Sequence, residues 1–401
     1  MDKGRSERKP VKCILLIGDG MADLPLDVFQ GKTPLEFAAS PEMALLASQT
    51  MGLVRTVPEG AAPGSDTAIL SIFGADPRTC YTGRAALEAA GARVSLREGE
   101  TVWRVNLVAV EGNEFASAKM RSHNGLGIHG DAALETVRTL RSDPAFSRLA
   151  DSLGFILHES PTFRQMGVAP TGPNWGTPLP GPHDHLGEPV GPLLPEGDIK
   201  KIVIASFHAL RGRQANCVWP WAPGAAMKLP NFIEKYHREG PVISAVPLCK
   251  GIARLSGLPA PEVEGATGEL DTNYEGKVNA AIKSLAGGAE FAAIHVEAPD
   301  ECSHMKDVEG KLEALRRLGK RVIAPLLQGL RANDESFRIL FLSDHPTFVS
   351  NGMHDGAPVP FCLYDSRKPA MPPRVFCERN AAEGMYISDG TKLMDLLFSD
   401  E

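Results

Sequence analysis

The chain has 401 residues, 43% of them hydrophobic and 23% charged, a globular composition long enough for one large or two medium domains and unlike that of a disordered chain. A formal net charge of −7 and a pI near 5.9 exclude the broad basic footprint of a nucleic-acid binder, so an anionic ligand has to be met locally, by metal or by clustered arginine. Seven scattered cysteines without a CxxC pair read as reduced thiols, not as a disulfide framework or a zinc knuckle.

In chain order, the N-terminal "MDKGRSERKP" is charged and short, and the apolar run after it is only about a strand long. Neither a signal peptide nor a membrane span is expected, and the expected location is the cytoplasm. "CILLIGDGM" reads as a buried strand that ends in a Gly-Asp-Gly turn at Asp19. In "PEGAAPGSDTAILSIFG" a turn at Pro63-Gly64 leads through Ser65 into a helix. "TVWRVNLVAVEGNEFASAKMRS" reads as a hairpin with Gly112-Asn113 in its turn. Residues 166 to 196 are so dense in Pro and Gly that no regular element of any length is expected there.

Strand-like runs return late, in "PVISAVPL", "FAAIHVEAPDE", "RILFLSDHP" and "PVPFCLYD", and an amphipathic helix pattern fills "DVEGKLEALRRLGKRVIAPLLQGLR". Strands alternating with helices predict an α/β domain with a mostly parallel sheet. A smaller α+β module, residues 89–209, is expected to interrupt it, leaving residues 1–88 and 210–401 as one discontinuous domain.

Ligands of open α/β sheets collect beyond the carboxyl ends of the strands, where Asp19, Asp300 and Asp344 all fall. His345 follows Asp344, His354 comes soon after, and His304 stands four residues from Asp300, on one face of a helix started by Pro299. Three acids and three imidazoles can therefore converge. Mixed carboxylate and imidazole ligands suit two divalent ions such as Mn, Mg or Zn. Two such ions about 3.5 to 4 Å apart are a recurrent device for displacement at phosphorus. Ser65, at a helix N-terminus able to cradle a phosphoryl group, is the candidate nucleophile.

The set "GDGM…GKTPLEFA", "PGSDTA", "TGRAALEAAG", "WPWAPG", "EGATGELDTNYEGK", "HVEAPDECSH" and "DHPTF…H…PVPF" resembles the cofactor-independent phosphoglycerate mutases of the archaeal type, in the alkaline phosphatase superfamily, over nearly the whole chain. The resemblance implies an alkaline-phosphatase-like fold and one metal site from Asp19, Ser65, Asp344 and His345. It implies a second metal site from Asp300, His304 and His354, and a phosphorylated Ser65. It also implies interconversion of 3- and 2-phosphoglycerate without 2,3-bisphosphoglycerate, with the inserted module as a lid over the small phosphorylated substrate. Candidates for its carboxylate and phosphate are Arg84, Arg104, Asn106, His123, Arg164, Arg213, Asn216 and Lys277, because planar guanidinium groups grip such anions bidentately.

Two stretches depart from the archaeal pattern. After the hairpin the chain reads "KMRSHNGLGIHGD", with His123 where an Arg-Arg stretch is usual, and "ASFHALRGR" is shorter than its counterpart. This variant resembles a bacterial subgroup proposed to act as homoserine kinase. Phosphotransfer to homoserine through the same serine and metals is therefore the alternative, followed by a metal-dependent phosphohydrolase and then a non-catalytic scaffold.

Overall fold

The structure, a computed structural model, describes residues 10–369 and 371–399. The expectation of no signal peptide bears largely on residues 1–9, outside the described residues. No helix among the described residues is long and apolar enough to cross a membrane.

The chain divides into two compact units, Met1–Tyr81 with Lys228–Glu401, and Thr82–Met227. Boundaries at 88/89 and 209/210 would cut the helix Arg84–Gly91 and detach the strand Cys217–Ala225. Both belong to the second unit for non-local reasons. Glu88 of that helix pairs with Arg104, and Cys217–Ala225 runs antiparallel along the strand Glu100–Glu111.

The first unit is built on a seven-stranded sheet in the order Met385–Ile387, Thr50–Val54, Val359–Asp365, Phe337–Ser343, Lys12–Gly18, Phe291–Val296, Val242–Ile243. Lys12–Gly18 lies parallel to both neighbours, whereas Val359–Asp365 is antiparallel to its two. Lys12–Gly18 and Phe337–Ser343 are buried at every residue, as strands covered on both faces must be, hence the apolar stretches 13–17 and 339–342 within them. One face carries Ile14, Leu16, Ile294, Ile339 and Phe341 into a core shared with Val278, Leu312 and Leu326 from the helices.

Some local expectations shift. "PVISAVPL" keeps only Val242–Ile243 as strand, because Pro247 opens the helix Pro247–Leu255. The long helix pattern forms Val308–Arg317 and Ala324–Ala332, joined by a π-helical turn at Leu318–Ile323. Pro325 explains the wider turn, since proline lacks the N–H and crowds the carbonyl four residues back.

In the second unit, Glu100–Glu111 pairs antiparallel with Lys119–Ser122, Arg164–Pro170 and Cys217–Ala225. The expected hairpin exists. Its connection is longer than a Gly-Asn turn, however, and includes a 3-10 turn at Phe115–Ser117. Met166 to Pro170 are strand after all, paired along Glu100–Glu111, with Met166 to Val168 also paired to Ile156–His158, and only short 3-10 turns follow up to residue 196.

Candidate active site

Register brings the chemistry together. Gly18 pairs with Ser343 on one side and with Val296 on the other, so three adjacent strands end at one level and release Asp19, Asp344-His345 and the helix Ala298–His304 side by side. Gly20 makes the approach possible. Its φ is +61°, and a Cβ there would lie 2.5 Å from Asp300 Oδ1 and 2.7 Å from Thr347 Oγ1. The Gly20 and His345 amides both donate to Asp344 Oδ1, at 3.0 and 2.9 Å, and Thr56 Oγ1 donates to the Asp344 carbonyl.

Ser65 opens the helix Ser65–Ile72. Its Oγ lies 3.1 Å from His345 Nε2 and 3.3 Å from Asp19 Oδ2. Asp19, Asp344 and His345 form a fully buried cluster whose ligand-type atoms lie within 4.8 Å of one another. His345 Nε2 is 3.3 Å from Asp344 Oδ2 and 3.5 Å from Asp19 Oδ1, and those two buried oxygens accept no hydrogen bond. His345 Nδ1 faces the Pro346 carbonyl at 3.3 Å, which can only accept. The proton therefore sits on Nδ1, and the Nε2 lone pair points among carboxylate oxygens. Acceptors this crowded, two of them buried with no donor, fit a cation.

Asp300, His304 and His354 form the second cluster. His304 Nδ1 donates to the Gly352 carbonyl at 2.8 Å, turning Nε2 toward Asp300 Oδ2 at 3.1 Å and His354 Nε2 at 3.0 Å. The rings of His345 and His354 are 4.2 Å apart, so the clusters adjoin. Thr347 Oγ1 ties them together, 2.5 Å from Asp300 Oδ1 and 3.2 Å from His345 Nδ1.

The charges show the same crowding. Burial, then the Asp344 and Asp300 charges, push the Asp19 carboxyl well above the usual carboxylate range. Burial also raises Asp344. Burial would raise Asp300, but hydrogen bonds from His304 and His354 outweigh it and hold that carboxyl well below its usual range. The bond to Asp300 in turn raises His304 to about 9. Three carboxylates share too little positive charge, which is what divalent ions supply.

His295, inside the apolar run "FAAIHV", was missed by sequence reasoning although an imidazole in such a run was a readable signal. It is buried, with Nε2 2.9 Å from Asp19 Oδ2 and Nδ1 3.2 Å from Ser244 Oγ. Burial, with Lys277 nearby, depresses it to about 3, so it is neutral. Lys277 is itself fully buried, donating to the His295 carbonyl at 3.2 Å, and burial lowers it to about 8.

In the second unit, Arg84 and Arg104 meet on Glu88, at 2.8 and 3.0 Å. Glu88 was also missed. Arg104 stacks on Trp221, whose Nε1 donates to Asn106 Oδ1, and Asn106 donates to the His123 carbonyl. Arg164 lies over Phe163, and the His123 ring is 6.1 Å from Phe163 and 6.2 Å from His183. These contacts link Arg84, Arg104, Asn106 and His123. Arg213 is drawn instead toward Glu135 at 3.6 Å, and Asn216 is spent on both backbone groups of Val110.

A two-cluster carboxylate and imidazole centre at the strand ends of such a sheet defines a metal-dependent α/β enzyme. A family model described as Metalloenzyme superfamily matches residues 11–400. The chain is 37% identical to a 2,3-bisphosphoglycerate-independent phosphoglycerate mutase of Methanothrix thermoacetophila, over 97% of this chain and all of that one. It is 36% identical to a probable enzyme of the same name from Geobacter sulfurreducens, over 96% and 99%. In fold it is similar to a Pyrococcus horikoshii protein (TM-score 0.71, 24% identity, 98% and 99% covered) and to the cofactor-independent phosphoglycerate mutase of Thermoplasma acidophilum (TM-score 0.59, 22% identity, 97% and 99% covered). The chain belongs to the 2,3-bisphosphoglycerate-independent phosphoglycerate mutase family, within the metalloenzyme superfamily.

Proposed function

We propose that the chain interconverts 3- and 2-phosphoglycerate through a phosphoserine at Ser65, without 2,3-bisphosphoglycerate. The observation that carries this reading is Ser65 Oγ at 3.1 Å from His345 Nε2, beside two adjoining ligand clusters, in a chain 37% identical over 97% of its length to a mutase. Asp19, Ser65, Asp344 and His345 would hold one divalent ion, and Asp300, His304 and His354 the other, with Mn, Mg and Zn all compatible with these donors. Bound there, the ions supply charge neutralisation for the attacking and leaving oxygens of an in-line displacement.

The residues of the chain do the rest. Ser65 Oγ forms the new bond to phosphorus as the bond to the substrate's 3-oxygen breaks, and the freed glycerate oxygen takes up a proton. With His345 Nε2 given to the ion, the Ser65 proton has Asp19 Oδ2 in reach, at 3.3 Å. The N-terminal end of the helix Ser65–Ile72 favours the negative phosphoryl group. Glycerate then presents its 2-hydroxyl, which takes the phosphoryl group back and frees Ser65. We assign Arg84, Arg104, Asn106, His123 and Arg164 to the substrate's anionic groups, with Arg213 and Lys277 as further candidates. Seven unpaired cysteines are consistent with a cytoplasmic enzyme.

The test offers the Mn- or Mg-loaded protein 3-phosphoglycerate and follows 2-phosphoglycerate through coupled enolase. Steady product formation is expected. No product, together with turnover of homoserine and a phosphate donor, would replace the mutase by a phosphotransferase, and release of free phosphate alone would make the protein a phosphohydrolase.

A further inference from the structure

We infer that His295 is a positioning residue for the Ser65 cluster. It occupies one oxygen of Asp19 with a hydrogen bond, leaving the other for the metal ion. The inference rests on the proposed role of Asp19 as a ligand and extends it to groups outside the ligand set.

The geometry follows from strand register. Ile17 pairs with His295, while Val242 and Ile243 pair with Ala293 and Ile294. Ser244, His295 and Ile17 therefore lie level on three adjacent strands, and Asp19 follows two residues beyond Ile17. All three polar groups of this row are buried, at 1% exposure for Asp19 and 2% for His295 and Ser244.

Each proton in the row can be placed. With an ion on Oδ1, Asp19 is an ionised carboxylate that only accepts, so His295 donates from Nε2 to Asp19 Oδ2, at 2.9 Å. Nδ1 of the neutral ring then accepts, and the Ser244 hydroxyl donates to it across 3.2 Å. Ser244 Oγ accepts in turn from the Val246 amide at 3.0 Å. No donor in the row lacks an acceptor. The row ends at Asp19, where Oδ2 takes the His295 proton and the buried Oδ1 takes none.

Such an outer partner fixes the orientation of a ligand and sharpens its affinity, and its loss typically costs about 10–100-fold in metal binding. His295 matters because Asp19 otherwise has two equivalent oxygens and freedom to rotate. Without the imidazole, Asp19 Oδ2 keeps only the longer contact to the Ser65 hydroxyl at 3.3 Å, and the carboxylate is free to rotate.

The experiment is a Mn(II) titration by calorimetry on the full-length protein, comparing wild type with His295→Leu, His295→Gln and Ser244→Ala. Wild type should bind two ions. His295→Leu should weaken one of them about 10–100-fold and leave the other within error. His295→Gln, which can still donate near the Nε2 position, should recover most of that loss. Ser244→Ala should weaken the same ion by less, and carries the test if His295→Leu does not fold. Two unaltered Mn(II) affinities in a folded His295→Leu, or in Ser244→Ala where that variant stands in, would overturn the role of His295 while leaving the metal assignment intact. A wild type that binds no Mn(II) would refute the metal assignment itself, and the role of His295 with it.

Discussion

Ser65 Oγ stands 3.1 Å from His345 Nε2, a hydroxyl facing the lone-pair nitrogen of a ring whose other nitrogen is turned to a backbone carbonyl. Replacing Ser65 by Ala removes the only atom proposed to bond phosphorus, so turnover should fall by at least about a thousandfold. Ion binding at the Asp300 cluster should persist, because Ser65 contributes nothing to it. Rapid-quench assays and metal titration of Ser65→Ala check both halves, and an unaltered rate would remove Ser65 from the nucleophile role.

Chelation should cost both activity and stability. With metal at about a hundredfold its dissociation constant, binding to the native state alone contributes about 2.7 kcal/mol per site. Scanning calorimetry should therefore show the EDTA-treated protein melting earlier, with recovery on adding Mn(II) or Mg(II). Coincident melting curves would count against the fit of the two clusters to cations.

Thr347 joins the clusters through Asp300 Oδ1 and His345 Nδ1. Thr347→Val keeps the shape and loses the hydroxyl, so affinity should drop at both sites, by about tenfold or more. Thr347→Ser should stay near wild type. Loss at one site only would show that the hydroxyl does not connect them.

The second unit has its own acid-sensitive contact. Burial would raise the Glu88 carboxyl, but Arg104 and Arg84 outweigh it and hold it below 4.5. A carboxylate with a depressed folded pKa contributes stability above its unfolded pKa and loses it as pH falls through the folded value. Glu88→Gln should therefore be less stable than wild type by about 2 kcal/mol at neutral pH. The gap should close as pH drops below 4.5. Urea unfolding of both proteins across that range measures it, and a gap that widens in acid would contradict the pairing.

Much of this arrangement was legible before the structure because it rests on local signals. Apolar runs broken by Asp19 and by Asp344-His345 mark strand ends, and Asp300 with His304 share a face at helical spacing. What stayed hidden depends on partners far away in the chain. His295 stood out as an imidazole in an apolar run, but its partner Asp19 appears only through strand register; Thr347 acquires meaning only when the fold sets it against Asp300, and Glu88 only when Arg104 arrives from another element. The antiparallel course of Val359–Asp365 was equally unreadable, since an apolar run carries no direction. The turn to π-helix at Leu318–Ile323 could have been read from Pro325, which interrupts an otherwise regular pattern.

The most direct measurement is a single-turnover reaction of the Mn-loaded protein with radiolabelled 3-phosphoglycerate, acid-quenched and peptide-mapped. The label should appear transiently on the peptide that contains Ser65 and then in 2-phosphoglycerate, with little in free phosphate. Accumulation of labelled 2-phosphoglycerate while that peptide stays unlabelled at every time point would contradict transfer through Ser65.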